Sequence, residues 1–187
     1  MTTKILALAG SLRTGSFNAA LLRAAAELAP AECEVETGSI RDIPLYDGDV
    51  EAKNGIPEAV VRLKDSIASA DGLLLVTPEY NGSMPGVLKN AIDWLSRPAN
   101  DIPRVFGNRA VGVIGATPGP AGTRLSQTAW LSVFRALTLR PWFGKSLYLA
   151  GARAVFDDGG ALTDEKIRGV LSGYMAGFAK FAARRDD

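Results

Sequence analysis

The sequence predicts an α/β domain: a parallel, doubly wound sheet with helices on both faces, forming three layers. Short aliphatic runs alternate with longer stretches that carry apolar residues at helical spacing, and this alternation continues along the 187-residue chain. It predicts five strands and five helices, and right-handed crossovers between parallel strands distribute the helices over both faces. The sequence contains no repeat or low-complexity tract, so residues 1–187 are expected to form one domain.

The predicted strands are short aliphatic segments that end at glycine or polar residues. They are expected at residues 5–9, 34–37, 73–77, 109–115 and 145–150. The second of these is the weakest. The third, which reads Leu73-Leu-Leu-Val-Thr77, is an uninterrupted apolar run of the kind that a strand buried on both faces requires.

The predicted helices lie between these strands and have apolar residues three and four positions apart. They are expected at residues 17–28, 57–70, 85–95, 123–139 and from about 163 onward. Pro30 ends the first helix, while Pro57 and Pro85 begin the second and third. Residues 39–55 contain Pro44, Gly48 and Asn54-Gly55, so they are predicted to form a long loop, a feature that is often functional.

The composition argues against several classes of function. A net charge of +1 is unlike a nucleic-acid-binding surface, and it also speaks against an acidic electron carrier. The chain has no histidine, which excludes histidine triads, histidine-ligated metals and histidine general bases. An enzyme of this composition is expected to take its chemistry from a cofactor and to need no metal.

The location is predicted from the apolar runs and the single cysteine. No apolar run approaches the roughly 18 residues of a membrane span, and the N-terminal residues do not resemble a signal peptide. Cys33 cannot form an intrachain disulfide, which fits a reducing compartment. We therefore expect a cytoplasmic protein that binds neither membrane nor nucleic acid.

The first loop that could bind a ligand joins the first predicted strand to the first helix. It reads Gly10-Ser-Leu-Arg-Thr-Gly-Ser-Phe-Asn18. A phosphate here would meet unpaired backbone N–H groups and the positive end of the helix dipole. Ser11 and Ser16 add hydroxyl donors, and Arg13 adds charge and two parallel N–H donors. The loop matches neither the dinucleotide fingerprint nor the P-loop. An alternative remains, in which Ser16 and Asn18 only cap the helix.

The second loop follows the third strand and reads Pro78-Glu-Tyr-Asn-Gly-Ser-Met84. Asn81-Gly82 is a turn dipeptide whose backbone amides can bind the carbonyl and ring nitrogens of an isoalloxazine, with Tyr80 on or beside the ring. Glu79 has two interpretations: it orders the loop by accepting backbone N–H bonds, or it contacts the flavin or a neighbouring subunit. The structural alternative has Tyr80 covering the sheet and Ser83 capping the next helix.

The third loop, residues 117–122, follows the fourth strand and contains prolines that fix the backbone and glycines that permit close approach to a ligand. Thr117 is a candidate for contact with the pyrimidine side of a flavin. An ordinary rigid turn is the alternative. Because the carboxyl ends of parallel strands meet at one edge, the three loops together point to a flavin mononucleotide (FMN) site there.

Two motifs in these loops resemble those of the NADPH-dependent FMN reductase family of flavodoxin-like proteins, which includes bacterial quinone and chromate reductases. One is G-S-L-R-x-x-S-x-N at residues 10–18, and the longer is P-E-Y-N-x-S-x-P-G-x-L-K-N-A-I-D-W at residues 78–94. The resemblance covers the whole chain and implies a flavodoxin-like fold with strand order 2-1-3-4-5. Relatives often have G-G-x-R after the fourth strand, where this chain has Ala121-Gly122-Thr123-Arg124.

The resemblance also implies which residues hold the cofactor. The FMN phosphate would be bound by Ser11, Arg13, Ser16, Phe17 and Asn18. The isoalloxazine would be bound by Pro78, Glu79, Tyr80, Asn81 and Ser83, with Thr117 nearby. A homodimer or homotetramer is implied as well, in which residues 39–55, with Arg41, Tyr46 and Asp47, shape the site of the same or the facing subunit.

The expected function is that of an FMN-dependent oxidoreductase with a ping-pong mechanism. NADPH or NADH passes a hydride to N5 of FMN, and a small acceptor then takes two electrons; quinones, azo or nitro compounds and chromate are candidates. One alternative is a flavin reductase that supplies reduced FMN. Others are a flavodoxin-like electron carrier or redox sensor without NAD(P)H turnover, and a flavin-free domain for protein interaction.

Overall fold

The computed structural model describes residues 2–184 and confirms the predicted α/β architecture, with a parallel sheet between two layers of helices. The strands are β1 (Thr3–Ala9), β2 (Cys33–Gly38), β3 (Gly72–Val76), β4 (Ala110–Ala116), β5 (Arg140–Pro141) and β6 (Tyr148–Leu149). The helices are α1 (Phe17–Glu27), α2 (Gly48–Asn54), α3 (Glu58–Ser69), α4 (Gly86–Leu95), α5 (Ile102–Val105), α6 (Arg124–Ala136) and α7 (Glu165–Ala182).

The strands are ordered β2-β1-β3-β4-β5 and are all parallel, which confirms the expected order 2-1-3-4-5. Ile5 of β1 lies opposite Gly72 of β3, and Gly72 lies opposite Ala110 of β4. The three central strands are therefore in register, so their carboxyl ends and the loops that follow lie at the same height. This register brings the three predicted loops to one edge.

The edge of the sheet beside β4 differs from the prediction, because two short strands, β5 and β6, lie there in place of one. β5 pairs with the start of β4, and β6 pairs with its end at Gly115 and Ala116. The last ladder bond of β5 runs from the Trp142 N–H to the Val111 carbonyl at 2.9 Å, and residues 143–147 then lie outside the named strands until β6 begins at Tyr148. The predicted strand at 145–150 thus contains β6 but misses β5, where a proline and a charged residue conceal the strand pattern.

Alternate residues of the strands build two cores, one on each face. Ile5 and Ala7 of β1 pack with α1 and α7, whereas Leu6 and Leu8 pack with α3, α4 and α6. The largest side chains on the first face are Tyr174 and Phe178; on the second they are Trp94 and Trp130. Burial on both faces explains why β3 reads as a continuous apolar run.

The segment predicted as a long loop at residues 39–55 contains a helix, α2. Asp47 caps it, because the Asp47 side chain accepts hydrogen bonds from the backbone N–H groups of Asp49 and Val50. The helix has seven residues and none of them is buried, so it leaves no apolar periodicity in the sequence. Pro44 and Gly48 in the same segment favoured the prediction of a loop.

Among residues 2–184, no helix combines the length and the apolar character that crossing a membrane would require.

Candidate cofactor site

The three loops meet at the carboxyl edge of β1, β3 and β4, where backbone contacts tie them together. The Gly10 N–H donates to the Val76 carbonyl at 2.9 Å, which joins the first loop to the end of β3. Gly10 also lies against Pro78 and Leu88, and a Cβ there would come within 2.9 Å of each. The absence of a side chain at Gly10 is what allows the first two loops to touch.

The N-terminus of α1 has the geometry of a phosphate site. Ser16 is the N-cap residue, and its hydroxyl accepts a hydrogen bond from the Ala19 N–H at 3.3 Å. The N–H groups of Phe17 and Asn18 lie in the first turn, where a helix provides no internal acceptor. Arg13 lies exposed in the loop, and within residues 2–184 its guanidinium has no hydrogen-bond or ion-pair partner. These free donors fit a phosphate dianion.

The side chains of two of the predicted phosphate residues already have contacts within the protein. The Phe17 ring stacks on Phe156 with ring centroids 5.9 Å apart and packs against the α1/α7 core. The Ser11 hydroxyl accepts a 3.4 Å hydrogen bond from the Arg13 N–H and so orders the loop internally. Phe17 is therefore placed to offer its backbone amide rather than its ring.

Asn18 is buried and links α1 to the end of β4. Its amide nitrogen donates to the Ala116 carbonyl at 2.9 Å, and its amide oxygen accepts from the Ala116 N–H at 2.9 Å. The Asn18 amide thus bonds both backbone groups of Ala116, as a neighbouring strand would, and holds the start of α1 against the end of β4. The Asn18 side chain is therefore engaged within the protein. Its backbone N–H lies in the first turn of α1, where it can donate to a ligand.

Replacing Asn18 with alanine is expected to lower the free energy of unfolding by about 2 kcal/mol, because both polar groups of Ala116 lose their partners in a buried site. Urea unfolding followed by circular dichroism would measure this. Asn100→Ala is the control, since Asn100 is exposed and its side chain makes no hydrogen bond within residues 2–184. Equal stability of the two variants would show that the two hydrogen bonds between Asn18 and Ala116 contribute nothing to the free energy of unfolding.

The second loop forms a tight hairpin turn. The N–H and carbonyl groups of Tyr80 and Ser83 bond reciprocally, at 3.0 and 3.1 Å. Asn81 and Gly82 have φ angles of 51° and 71°, and two positive values in succession define a type I′ turn, which Asn-Gly favours. Tyr80 is 43 % exposed at the rim, and Ser83 is not a helix cap, because α4 begins after Pro85 without a side-chain cap. The turn presents unpaired amides and an aromatic ring, which fit a flat heterocycle.

The Glu79 carboxylate joins the second loop to the start of α6. One of its carboxylate oxygens accepts hydrogen bonds from the N–H groups of Leu125 and Ser126, at 2.9 and 3.1 Å. Both residues belong to the first turn of α6. Glu79 therefore orders the loop through backbone bonds, which is the first of the two interpretations.

A buried polar chain lies beneath this loop and was not anticipated from the sequence. The Trp130 indole N–H donates to the Thr77 hydroxyl at 3.1 Å, and the hydroxyls of Thr77 and Ser126 are 2.9 Å apart. The Ser126 hydroxyl in turn donates to the Pro78 carbonyl at 2.9 Å. Trp130 is fully buried, and a buried tryptophan whose N–H needs a partner is the available signal for such a chain.

The third loop is fixed mainly by its own backbone. Thr117 donates from its N–H to the Leu149 carbonyl at 2.9 Å, and its carbonyl accepts from the Ala152 N–H at 3.0 Å. The Thr117 hydroxyl accepts a 3.3 Å bond from Gly119. Nearby, the Arg124 guanidinium lies 4.4 Å from the centre of the Tyr148 ring, in a cation–π contact. Thr117 is half-buried at the edge shared with Asn18, so it joins the site at its border.

Residues 39–55 pack beside the site and contact the first loop and α4. Arg41 donates to the Leu12 carbonyl at 2.9 Å and so contacts the first loop directly. Tyr46 packs edge-on against Trp94 of α4, with centroids 5.0 Å apart. The Tyr46 hydroxyl donates to Glu51, and the guanidinium of Arg97, which donates to the same carboxylate, lowers the pKa of Glu51.

Cys33 lies at the start of β2, at the sheet edge opposite the loops. Burial, followed by the negative charges of Glu32 and Asp71, raises the pKa of its thiol to about 11. The thiol therefore stays protonated near pH 7, as expected of an unreactive structural cysteine.

Comparisons with known proteins agree with this geometry. The sequence pattern of the NADPH-dependent FMN reductase family matches residues 3–154. The chain is 41 % identical over 168 residues to an NAD(P)H-dependent FMN reductase from Pseudomonas aeruginosa, covering 90 % of this chain and 89 % of that protein. It is 38 % identical over 185 residues to a 2-hydroxy-1,4-benzoquinone reductase from a Burkholderia species, covering 99 % of each.

A solved structure gives the same result for the fold. FerB, a flavoenzyme NAD(P)H:(acceptor) oxidoreductase from Paracoccus denitrificans, superposes with a TM-score of 0.87 at 32 % identity. The match covers 97 % of this chain and 98 % of that one.

Proposed function

Because this chain belongs to the NADPH-dependent FMN reductase family, we propose that it reduces a small quinone with electrons from NAD(P)H. It is an oxidoreductase that uses FMN as cofactor, and residues 1–187 act as one FMN-binding domain. The quinone-reductase relatives, which match most of the chain, support the choice of acceptor.

The observation that carries this proposal is the pairing of two different binding surfaces at one edge of the sheet. The α1 N-terminus, with Arg13 beside it, suits a phosphate. The turn at Asn81-Gly82, with Tyr80, suits a flat hydrogen-bonding ring. Gly10 packs between them, so a ligand that carries both groups on one short linker matches the site.

The proposed contacts follow the sequence motifs. At the phosphate they are Ser11, Arg13, Ser16, Phe17 and Asn18, with Phe17 and Asn18 acting through their backbone amides. At the ring they are Pro78, Tyr80, Asn81, Ser83 and Thr117, while Glu79 belongs to the ring site by holding the loop through its bonds to α6. Bound FMN supplies the redox chemistry, receiving a hydride from NAD(P)H and giving two electrons to the acceptor in a ping-pong order. The protein binds and orients, and amides of the turn stabilise negative charge on the pyrimidine side of the ring.

Assembly and location are part of the proposal. We propose a homodimer or homotetramer in the cytoplasm, which light scattering would test. Support comes from exposed apolar side chains on α4 and α6, namely Val87, Leu125 and Leu131. Azo compounds, nitro compounds and chromate are further proposed acceptors, to be ranked by competition with a quinone.

An absorbance spectrum of the purified protein tests the function directly, with FMN added if the protein is colourless. We expect bound flavin absorbance that bleaches within seconds of anaerobic addition of NADPH or NADH and returns when a quinone is added. Free FMN at the same concentration is the control, because it should not bleach on that timescale.

Other outcomes would favour the alternatives. Bound flavin that NAD(P)H does not bleach would indicate an electron carrier or redox sensor. Rapid reduction with flavin lost on gel filtration would indicate a reductase that releases reduced FMN. No flavin binding under any condition would contradict the proposal and leave the loops with a structural role.

A further inference from the structure

Helix α6 receives its N-terminal cap from a different loop. Its own N-cap residue, Thr123, makes no side-chain capping bond. The Glu79 carboxylate takes that place, because one oxygen accepts from both Leu125 and Ser126 at 2.9 and 3.1 Å. A negative charge at this position also interacts favourably with the positive end of the helix dipole. Glu79 lies 46 residues before Leu125, so the cap joins two separate loops.

Ser126 holds the same loop at a second point. The hydroxyls of Ser126 and Thr77 both lie within donor distance of the Pro78 carbonyl, at 2.9 and 3.0 Å, and they are 2.9 Å from each other. The Trp130 indole N–H donates to the Thr77 hydroxyl. Whichever hydroxyl donates to the other, this network of bonds ends on the Pro78 carbonyl. Thr77, Ser126 and Trp130 are fully buried, so the chain is shielded from water and rigid.

The turn that follows depends on these two anchors. Within the part of the chain that the structure describes, residues 80–83 hydrogen-bond only to one another. Beyond the turn, the chain enters α4 through Pro85, which lacks an N–H. The polar attachments that set the position of the turn are therefore the Glu79 carboxylate and the Pro78 carbonyl, both held by α6.

We propose that Glu79 is a positioning residue that fixes the Asn81-Gly82 turn for binding of the flavin ring by capping α6, without contacting the reacting atoms. This inference rests on the proposed function, since it concerns how the same site binds FMN. It assigns to α6 a part in the site although none of its side chains is expected to touch the ring. It also means that the N–H groups of Leu125 and Ser126 are already bound and are not available to a ligand.

Dissociation constants for FMN and riboflavin, measured by flavin fluorescence, test this proposal. Glu79→Ala is expected to weaken both ligands by the same factor, about tenfold, as loss of a charged cap implies. The ratio of the two constants should stay at the wild-type value, because that ratio reports the phosphate end. Glu79→Gln should restore most of the affinity, since a single amide oxygen can accept both N–H bonds as the single carboxylate oxygen does.

Asp164→Ala separates positioning from general stability. Asp164 caps α7 by accepting from the Ile167 N–H at 2.9 Å, and within residues 2–184 it makes no hydrogen bond or ion pair with the three loops. We expect this variant to lower the unfolding midpoint as Glu79→Ala does, while the flavin affinities stay unchanged.

Three results would overturn the inference. The first is a Glu79→Ala protein that unfolds more easily but binds both flavins as tightly as the wild type. The second is a loss confined to FMN, which would place Glu79 at the phosphate. The third is a Glu79→Gln protein as impaired as Glu79→Ala, which would require the charge itself. Wild-type protein that binds no flavin would instead refute the proposed function, and this inference with it.

Discussion

Replacing Gly115 with alanine is expected to lower the free energy of unfolding by about 3 kcal/mol, the upper part of the range for overpacked cores. Gly115 lies near the end of β4, directly below the three loops. A Cβ at this position would be 2.1 Å from the Thr77 carbonyl oxygen and 2.3 Å from the Thr123 hydroxyl. Thr77 and Thr123 are fully buried, so neither has free space into which it can move.

The Gly115→Ala substitution should also weaken the cofactor site, because the added Cβ displaces Thr77 and Thr123, which support the loops of that site. Thr77 is part of the polar chain that ends on Pro78, and Thr123 precedes the first turn of α6. We therefore expect weaker FMN binding in the fraction that remains folded. Fluorescence titration at a temperature well below the unfolding midpoint would measure it.

Gly169→Ala is the matched control for this substitution. Gly169 is exposed in the interior of α7, where an added Cβ has no neighbour within 4 Å. The same chemical change should there stabilise the protein by roughly 0.5–1 kcal/mol, because glycine is a poor helix former. Urea unfolding of both variants compares them, and a Gly115→Ala protein as stable as the wild type would show that β4 and α6 shift apart easily.

The parts of the fold that could be predicted depend on local patterns. Strands β1 to β4 and helices α1, α3, α4, α6 and α7 each carry an apolar repeat or an uninterrupted apolar run, and their order confirmed the parallel sheet. α2 and β5 lack such a signal, because one has no buried residue and the other has two residues. Prediction failed where burial was too slight to leave a pattern.

The site was predictable at its backbone and less so at its side chains. The Asn81-Gly82 turn and the start of α1 follow from residues that are adjacent in the sequence. Asn18, in contrast, bonds to Ala116, which is 98 positions away, and Glu79 bonds to Leu125, which is 46 positions away. A sequence identifies a polar residue in a loop but not its distant partner, so for both residues the sequence left a structural role and a ligand-binding role open.

Replacing Arg13 with alanine is expected to weaken FMN binding by roughly 1.5–3 kcal/mol, which is about 10- to 150-fold in the dissociation constant. The reason is that Arg13 is exposed beside the α1 N-terminus and its guanidinium has no partner within residues 2–184. Its whole hydrogen-bonding capacity is thus available to a phosphate, and no protein contact is lost when it is removed. The stability of the unliganded variant should therefore equal that of the wild type.

Arg62→Ala is the control for charge, because Arg62 is exposed on α3 and pairs with Glu58 away from the loops. It removes the same positive charge and should leave the FMN dissociation constant unchanged. Arg13→Lys should fall between wild type and Arg13→Ala, since an ammonium keeps the charge but loses the parallel pair of N–H donors. Riboflavin affinity should be insensitive to all three substitutions. Equal weakening of riboflavin and FMN by Arg13→Ala would remove Arg13 from the phosphate site and move it towards the ring.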